Sequence, residues 1–373
     1  MTNRAIQLVQ LLRSAKREPR LGTVILFVTS RCNAFCKTCF YHEELNHPGD
    51  MTFDQIEKVS LTMPPITDLW LSGGEPTLRR DVSDIIDLFV KNNGVKRVII
   101  PTNGLISSRV SEMVDRALSA NSNLDLYLNI ALDGYGETHD RIRGVPGNWE
   151  KTLACIRALY PLKETYGDRF RLNINTVICA ENFEEIEPLA EFMWQNFNLD
   201  GQYFNIVRGE TLAGDEIKQV PPDALTAIYA YAANLTKRYG DRMFAADSCD
   251  KRFVKNVAYV GAIMTHYRTQ HANFQASTAW AFPCTAGETT AVIDYNGDVR
   301  ACELRGRFAR LPDYNYDFGS LWAANERQLE LNAIDGGKAC WCSHVCFIHD
   351  SMRHSRRGTM YELPKNYLTR NAW

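Results

Sequence analysis

The stretch VILFVTSRCNAFCKTC, residues 24–39, joins a strand-like run to three closely spaced cysteines. Its first seven residues are mostly apolar and either β-branched or aromatic, which is typical of a buried strand. Cys32, Cys36 and Cys39 follow in a Cys-x3-Cys-x2-Cys pattern, so one loop carries three thiols that can reach one iron–sulfur cubane. A zinc ion usually takes four protein ligands with the cysteines in pairs, which makes zinc the weaker alternative.

Five more strand-like runs follow, and amphipathic segments separate them. The runs are DLWLSGG (68–74), RVIIPTNG (97–104), LYLNIALDG (126–134), RLNINTVI (171–178) and QYFNIVRG (202–209), and the amphipathic segments span 53–62, 81–93, 107–119, 149–164 and 184–197. Strands that alternate with helices form right-handed βαβ units and a parallel sheet. Six units predict an α/β fold built on an open, partial (β/α)6 barrel, similar to part of a TIM barrel.

The polar and glycine-rich loops all come after predicted strands. In chain order they begin at Cys32, at Gly73 to Pro76, at Thr102 to Gly104 and at Asp133 to Gly134, and Asn175 lies on the fifth strand. Loops at the carboxyl ends of barrel strands surround one mouth, where the chemistry of such folds takes place. We therefore expect these residues to converge on one site.

A Gly-Gly-Glu-Pro turn, Gly73 to Pro76, follows the second strand. Glycines there allow backbone carbonyls to approach a ligand, and the Glu75 carboxylate can receive an ammonium group. The turn alone is a weak signal. Next to the cysteine loop, it predicts that an open iron of the cluster lies beside an ammonium-binding strip.

Through these two motifs, residues 24–209 resemble the radical S-adenosylmethionine (SAM) superfamily. The resemblance implies that Cys32, Cys36 and Cys39 bind a [4Fe-4S] cluster whose fourth iron chelates SAM. Reductive cleavage of SAM would then yield a 5′-deoxyadenosyl radical that abstracts hydrogen from a substrate. The SAM-binding residues that the resemblance implies are Gly73, Gly74, Glu75, Pro76, Thr102, Asn103, Asp133, Arg143 and Asn175.

Within this set the resemblance implies particular contacts. The strip from Gly73 to Pro76 meets the methionine amino group, Arg143 meets its carboxylate, and Asn175 contacts the ribose. Two positions depart from the family pattern, because Thr38 replaces the usual aromatic residue before the third cysteine and Ala131 replaces a frequent serine. The packing of adenine and one hydroxyl contact would differ accordingly.

A second group of five thiols lies near the C-terminus: Cys284, Cys302, Cys340, Cys342 and Cys346. The dipeptide Asn296-Gly297 between the first two predicts a tight hairpin. This pattern resembles the SPASM/twitch extension of radical SAM enzymes, which implies one auxiliary [4Fe-4S] cluster. The preferred ligands are Cys284, Cys302, Cys342 and Cys346, and Cys340 is able to replace Cys342. Full ligation favours electron relay, and a structural zinc site remains the alternative.

The sequence divides into five predicted segments. They are an N-terminal helical extension (1–22), the partial barrel (23–210), a connector (211–282), the auxiliary-cluster module (283–350) and a C-terminal tail (351–373). Within the connector, residues 223–240 have a helical pattern, and residues 243–282 are aromatic-rich without a clear period.

The composition excludes several partner classes. The formal net charge of -2 gives no general attraction to nucleic acid or to an anionic membrane. No stretch approaches the ~18 apolar residues of a spanning helix, and the N-terminus lacks the apolar region of a secretory signal. We expect a cytoplasmic protein. The resemblance adds SAM as a ligand and an electron donor such as flavodoxin or ferredoxin as a partner.

Two substrate classes remain open, a small metabolite and a peptide. Only about twenty residues precede the first strand, too few for a separate leader-binding domain, and this favours the metabolite. A non-catalytic Fe–S electron carrier or a zinc-stabilised scaffold would share the cysteines. Neither has a use for an ammonium-binding turn at Gly73 to Pro76, so both are disfavoured.

Overall fold

The computed structural model describes residues 20–334 and 340–373. Most of the predicted N-terminal extension, residues 1–19, therefore lies outside the described residues. The elements of the first part are β1 Thr23–Thr29, α1 Phe53–Thr62, β2 Asp68–Gly73, α2 Val82–Asn93, β3 Arg97–Thr102, α3 Ser107–Ala120, β4 Asp125–Ala131, α4 Glu137–Arg143, α5 Asn148–Ala158, α6 Tyr160–Tyr166, β5 Phe170–Ile178, α7 Ile186–Asn196 and β6 Gly201–Ile206.

Strands β1 to β6 form a parallel sheet in which each strand pairs with the next one along the chain. On β4, alternate residues Leu126, Leu128 and Ile130 are fully buried in the main hydrophobic core. Tyr127 and Asn129 alternate with them and are partly exposed on the opposite face. The prediction of an α/β fold with six parallel strands and no closed barrel is confirmed.

The rest of the chain extends this sheet and covers it. Its elements are α8 Pro222–Met243, α9 Cys249–Ala276, β7 Thr290–Ile293, β8 Asp298–Arg300, β9 Arg307–Arg310, α10 Phe318–Trp322, α11 Asn325–Ile334, α12 Val345–His354 and α13 Leu363–Leu368. Strand β7 pairs in parallel with β1, and β8 and β9 follow in antiparallel pairing. The C-terminal strands are therefore continuous with the barrel sheet.

The predicted hairpin joins β7 to β8. Gly297 has a φ of 86°, a left-handed conformation that favours glycine, and the side chain of Asn296 accepts a hydrogen bond from the Asp298 amide at 3.0 Å. The Asn-Gly signal thus located this turn correctly.

The stretch 243–282 differs from the expectation of an aperiodic connector, because most of it is the long helix α9. The buried face of this helix includes Asn256, Gly261, Thr265, His266 and Gln270 among its apolar residues. A search for apolar residues at helical spacing misses such a helix, since much of its buried face is polar.

Those polar residues have a structural role at the edge strand β6. The Tyr267 hydroxyl accepts a hydrogen bond from the Phe204 amide at 3.3 Å, and Gln270 Oε1 accepts one from the Ile206 amide at 3.1 Å. An open sheet edge otherwise presents unpaired amides. Helix α9 therefore satisfies the edge of the partial barrel in the place of a seventh barrel strand.

Residues assigned to the C-terminal tail also pack against α9. Arg268 donates hydrogen bonds to Asn366 and to Thr369, and Asn366 donates to Thr265. A Cβ at Gly261 would come within 2.4 Å of the Leu363 carbonyl oxygen, so the two helices meet closely there. In the described part of the chain, no helix is long and apolar enough to cross a membrane.

The edge contact predicts the effect of replacing Gln270. We expect Gln270→Ala to destabilise the protein by about 1–3 kcal/mol, because it leaves the buried Ile206 amide without its acceptor. Anaerobic thermal unfolding followed by circular dichroism measures the change. The control is Gln275→Ala on the exposed side of the same helix, and an equal loss in both variants would contradict the role of Gln270.

Candidate active site

The cysteine loop, residues 30–46, leaves the carboxyl end of β1 and is fixed at its base. Asp50 accepts hydrogen bonds from the Thr29 hydroxyl at 2.5 Å and from the Ser30 amide at 2.9 Å. The Cys32 amide donates to the side chain of Asn46 at 3.0 Å. Both ends of the loop are thus held to the same end of the sheet.

The outer side of the cysteine loop is held by the end of α4. The Phe35 amide donates to the Arg143 carbonyl at 3.1 Å, and the Lys37 amide donates to the Ile142 carbonyl at 2.8 Å. Gly144, which ends α4, has a φ of 65°, and a Cβ there would lie 2.5 Å from the Phe35 carbonyl oxygen. Helix α4 therefore ends in direct contact with the loop.

Gly73, which ends β2, and Gly74 both lie directly against the cysteine loop. A Cβ at Gly73 would lie 2.3 Å from the Thr29 carbonyl oxygen, and one at Gly74 would lie 2.2 Å from that of Arg31. The Gly74 and Glu75 amides donate to these same carbonyls, each at 2.8 Å. The glycines therefore let the strip pack directly against the backbone of the cysteine loop.

Glu75 connects the β2 loop to the β3 loop. Its Oε1 accepts hydrogen bonds from the Thr77 and Thr102 hydroxyls at 2.6 and 2.8 Å, and its Oε2 accepts one from the Asn103 amide at 2.7 Å. Pro76 is buried and begins a short helical turn in which Glu75 accepts from the Thr77 amide. Because each carboxylate oxygen has two lone pairs, Oε2 keeps capacity for an ammonium donor.

Asn103 brings the β3 loop to the cysteines. Its side-chain amide donates to Asn33 Oδ1 at 2.8 Å, one residue after Cys32. Thr102, Asn103 and Glu75 therefore lie together beside the cysteine loop, in agreement with their convergence at the carboxyl ends of the strands.

Asp133 and Arg143 form a buried ion pair next to Cys36. Arg143 donates to Asp133 Oδ2 at 3.1 Å, and Asp133 Oδ1 accepts from the Val177 amide at 2.8 Å. Arg143 Nε is buried without a hydrogen-bond partner among the described residues. Burial disfavours the charged guanidinium, but the neighbouring Cys36 and Asp133 outweigh it and raise the pKa of Arg143.

The three thiols of this loop interact with one another and with the residues around them. Burial raises the pKa of the Cys32 thiol to about 12 and that of Cys39 to about 11, and Cys36 adds to both shifts. Burial also raises the pKa of Cys36, which the Arg143 guanidinium opposes. Thiolates bind iron, so cationic iron would have to supply the charge that makes these buried thiols ionise.

Asn175 lies on β5 next to the end of β4, where its backbone carbonyl accepts a hydrogen bond from the Leu132 amide at 3.1 Å, one residue before Asp133. Oδ1 of Asn175 accepts a hydrogen bond from Asn205 on β6 at 2.6 Å, and Gln270 donates to Asn205 in turn at 3.3 Å. Within the described ranges, no hydrogen bond is seen between the Asn175 side chain and the cysteine loop. Its predicted ribose contact stays a prediction.

The second thiol group, Cys284, Cys302, Cys340, Cys342 and Cys346, surrounds the end of the hairpin and the start of α12. Cys284 and Cys340 interact closely with each other, which raises the pKa of Cys284 and lowers that of Cys340, and Cys302 and Cys346 both interact with Cys342. The amides of Leu304 and His344 donate to the sulfurs of Cys302 and Cys342, each at 3.4 Å. Such N–H···S bonds fit thiolate ligands.

The arrangement does not choose between Cys340 and Cys342 as the fourth ligand. The thiols of Cys340 and Cys342 both interact electrostatically with Cys302, and the Cys340 thiol also interacts by hydrogen bonding with the Cys284 thiol. Within residues 20–334 and 340–373, no set of three or more His, Cys, Asp and Glu side chains is arranged to hold a single metal ion.

Three residues that sequence reasoning left out lie between the two thiol groups. The Arg208 guanidinium stacks over the Phe40 ring at 4.7 Å, and its Nη2 lies 3.6 Å from Glu303 Oε2. Glu303 in turn contacts His344 Nε2. A signal was present, since Arg208 is the last residue but one of the sixth predicted run, Glu303 follows Cys302, and His344 lies two residues from Cys342 and from Cys346. No motif, however, connects three such distant positions.

The sequence profile of the Radical SAM superfamily matches residues 26–193, somewhat less than half of the chain. This part of the chain is therefore similar to radical SAM domains. The similarity supports the resemblance on which the expected [4Fe-4S] cluster and SAM depend.

Two curated relatives match part of this chain. An AdoMet-dependent heme synthase of Methanosarcina barkeri is 33% identical over 201 residues, which cover 52% of this chain and 53% of that protein. A pre-heme d1 synthase of Dinoroseobacter shibae is 34% identical over 150 residues, which cover 39% of this chain and 35% of that protein. The chain thus spans about half or less of the length of these relatives.

A likeness of fold to a solved structure covers most of the chain. The structure titled "Native anSMEcpe with bound AdoMet and Cp18Cys peptide" superposes with a TM-score of 0.58, covering 95% of this chain and 99% of that one. The sequence identity is 15%, so this likeness concerns the fold alone.

The strip that holds the cysteine loop predicts the effect of a single methyl group. We expect Gly74→Ala to prevent the loop from closing, because its Cβ would clash with the Arg31 carbonyl. Reconstituted protein should then lose up to about four irons per chain, one cubane, and should not cleave SAM.

The measurement is the iron and sulfide content together with the 5′-deoxyadenosine formed. Gly306→Ala is the matched control, because a Cβ at Gly306 meets nothing within 4 Å. Full iron loading of Gly74→Ala would refute the role given to the strip.

Proposed function

We propose that this chain is a radical SAM enzyme that acts on a small metabolite with the help of one auxiliary [4Fe-4S] cluster. Cys32, Cys36 and Cys39 hold the first cluster, and four of the five thiols of the second group hold the other. The observation that carries the proposal is the position of Arg143, because its backbone carbonyl accepts a hydrogen bond from the Phe35 amide of the cysteine loop and its buried Nε has no hydrogen-bond partner among the described residues. Electron relay is the proposed role of the second cluster.

Each part of the mouth has a task in this proposal. Arg143 Nε is a donor for the methionine carboxylate of SAM, and Asp133 holds the guanidinium in place from its other side. Oε2 of Glu75 receives the methionine ammonium, while Thr102 and Asn103 hold the Glu75 carboxylate in place by hydrogen bonds. When held by Cys32, Cys36 and Cys39, a reduced [4Fe-4S] cluster would supply the electron for the reductive cleavage of SAM.

The surrounding fold protects this chemistry from water. Phe27 and Tyr41 pack edge to face at 4.6 Å beneath the cysteine loop, and Tyr41 donates a buried hydrogen bond to Asp294 of the hairpin. The cysteine loop is thus covered from below by β1 and from one side by the C-terminal strands. A shielded radical is less exposed to quenching by solvent.

The curated relatives favour the small-metabolite class. Both are named as synthases of a heme compound, which is a small molecule rather than a peptide. We therefore keep the metabolite as the proposed substrate and the peptide as the alternative. Their names do not identify the metabolite for this chain, since the matched regions cover only part of each protein.

Anaerobic reconstitution tests the proposal directly. With iron, sulfide, dithionite and SAM, we expect wild type to bind about eight irons, as two cubanes require, and to release 5′-deoxyadenosine. Cys36→Ala should bind about four irons and release none, whereas Cys346→Ala should lose iron but keep SAM cleavage. Cys249→Ser is the control for thiol removal, because Cys249 is exposed at the start of α9.

Different failures of this experiment have different meanings. If the second thiol group binds zinc while the first binds iron, the proposed auxiliary cluster is refuted and the radical SAM cluster is not. Absence of 5′-deoxyadenosine from fully loaded wild type would refute the catalytic proposal and favour an electron carrier or scaffold.

The role of Arg143 has its own test. Arg143→Lys keeps the charge beside Cys36 and Asp133 but removes the Nε donor, so we expect the cluster to form and SAM to bind more weakly. Loss of one charge-assisted hydrogen bond costs about 1.5–3 kcal/mol, or roughly ten- to hundredfold in affinity. Equilibrium titration with SAM measures this.

The matched control is Arg141→Lys on the same helix, since Arg141 is half exposed and pairs with Glu181 at the surface. Unchanged affinity in Arg143→Lys would contradict the carboxylate contact.

A further inference from the structure

The ionic cluster of Arg208, Glu303 and His344 joins three distant parts of the chain. Arg208 follows β6, Glu303 follows β8 and the ligand candidate Cys302, and His344 lies between Cys342 and Cys346. The exposed fractions of the three side chains are 17%, 5% and 0%. The cluster is therefore buried at the junction of the barrel and the C-terminal strands.

This junction lies between the two thiol groups. Arg208 stacks on Phe40, the residue after Cys39, and Gly209 approaches the side chains of Phe40 and Leu304. On the other side, Leu304 and His344 donate their amides to the sulfurs of Cys302 and Cys342. The Arg208–Glu303 pair therefore faces the second thiol group and lies next to the first.

The charges act on the thiols with opposite signs. Apart from burial, which raises the pKa of Cys342 to about 11, the Arg208 guanidinium lowers that pKa and the Glu303 carboxylate raises it. The same two groups oppose each other at Cys346. Both charges are therefore close enough to affect the electrostatic potential at the second thiol group.

Stability alone does not explain this buried pair. Replacing a buried ion pair by apolar residues is often neutral or stabilising, because desolvation of two charges offsets their attraction. Arg208 Nε and His344 Nδ1 are, moreover, buried without hydrogen-bond partners in the part of the chain that the structure describes. Unmet polar groups in such a place indicate a function that uses the charges.

We infer that Arg208 and Glu303 set the reduction potential of the auxiliary cluster, Arg208 raising it and Glu303 lowering it. The inference rests on the proposed auxiliary cluster. One-electron reduction takes a [4Fe-4S] cluster with four thiolates from a net charge of -2 to -3, so a nearby cation stabilises the reduced form and a nearby anion destabilises it. His344 is a positioning residue that holds the Glu303 carboxylate near Cys302 and Cys342.

The test measures the potential of the second cluster by itself. In the full chain with Cys32, Cys36 and Cys39 replaced by alanine, a redox titration with dithionite is followed by electron paramagnetic resonance. We expect Arg208→Gln to shift the midpoint to more negative values and Glu303→Gln to shift it to more positive values. Arg208→Lys, which keeps the charge, should remain near the parent value.

The matched controls come from an ion pair in another part of the protein. Arg238→Gln and Glu191→Gln remove the charges of a pair that joins α8 to α7 at 2.7 Å, and we expect no shift in either. These variants show whether the loss of a charge elsewhere in the protein changes the midpoint potential.

The outcomes separate the two proposals. Shifts of opposite sign, with Arg208→Lys unchanged, support the inference. Shifts of the same sign, or none, in a chain that carries the second cluster overturn it and leave the proposed function intact. Failure of the parent chain to bind any cluster overturns the auxiliary cluster of the proposed function and this inference with it.

Discussion

The architecture of the mouth depends on a close contact between two backbones. The amides of Gly74 and Glu75 donate to the carbonyls of Thr29 and Arg31, at a separation that no side chain at Gly73 or Gly74 would allow. This contact presses the cysteine loop against the end of β2. Glu75 is thereby fixed beside the loop, and through Glu75 the β3 loop is fixed as well.

The open edges of the partial barrel are covered in two different ways. At β6, hydroxyl and amide side chains of α9 replace the missing strand, while at β1 the short strand β7 continues the sheet in parallel. The Arg208–Glu303 pair then joins the loop after β6 to the end of the added hairpin. The C-terminal strands are therefore bound to the barrel at both ends of its arc.

The sequence predicted the parts of this fold that have local signals. Six strands followed from β-branched runs, and the hairpin at Asn296-Gly297 from its turn chemistry, because neighbouring residues determine both. Helix α9 was missed because Asn256, Thr265 and Gln270 occupy its buried face, where their partners are distant in sequence. The thiols and the Gly-Gly-Glu-Pro turn were likewise visible as motifs. The Arg208, Glu303 and His344 cluster was not, because only folding brings these positions together.

The pairing of β1 with β7 has a consequence for synthesis of the chain. Strand β1, TVILFVT, is fully buried and apolar, and its second neighbour β7 emerges from the ribosome about 260 residues later, or roughly 13–50 s at 5–20 residues per second. During that interval the nascent chain carries an unpaired, β-prone edge, which is a template for aggregation. The pairing of β7 with β1 thus also removes an edge at which the nascent chain can aggregate.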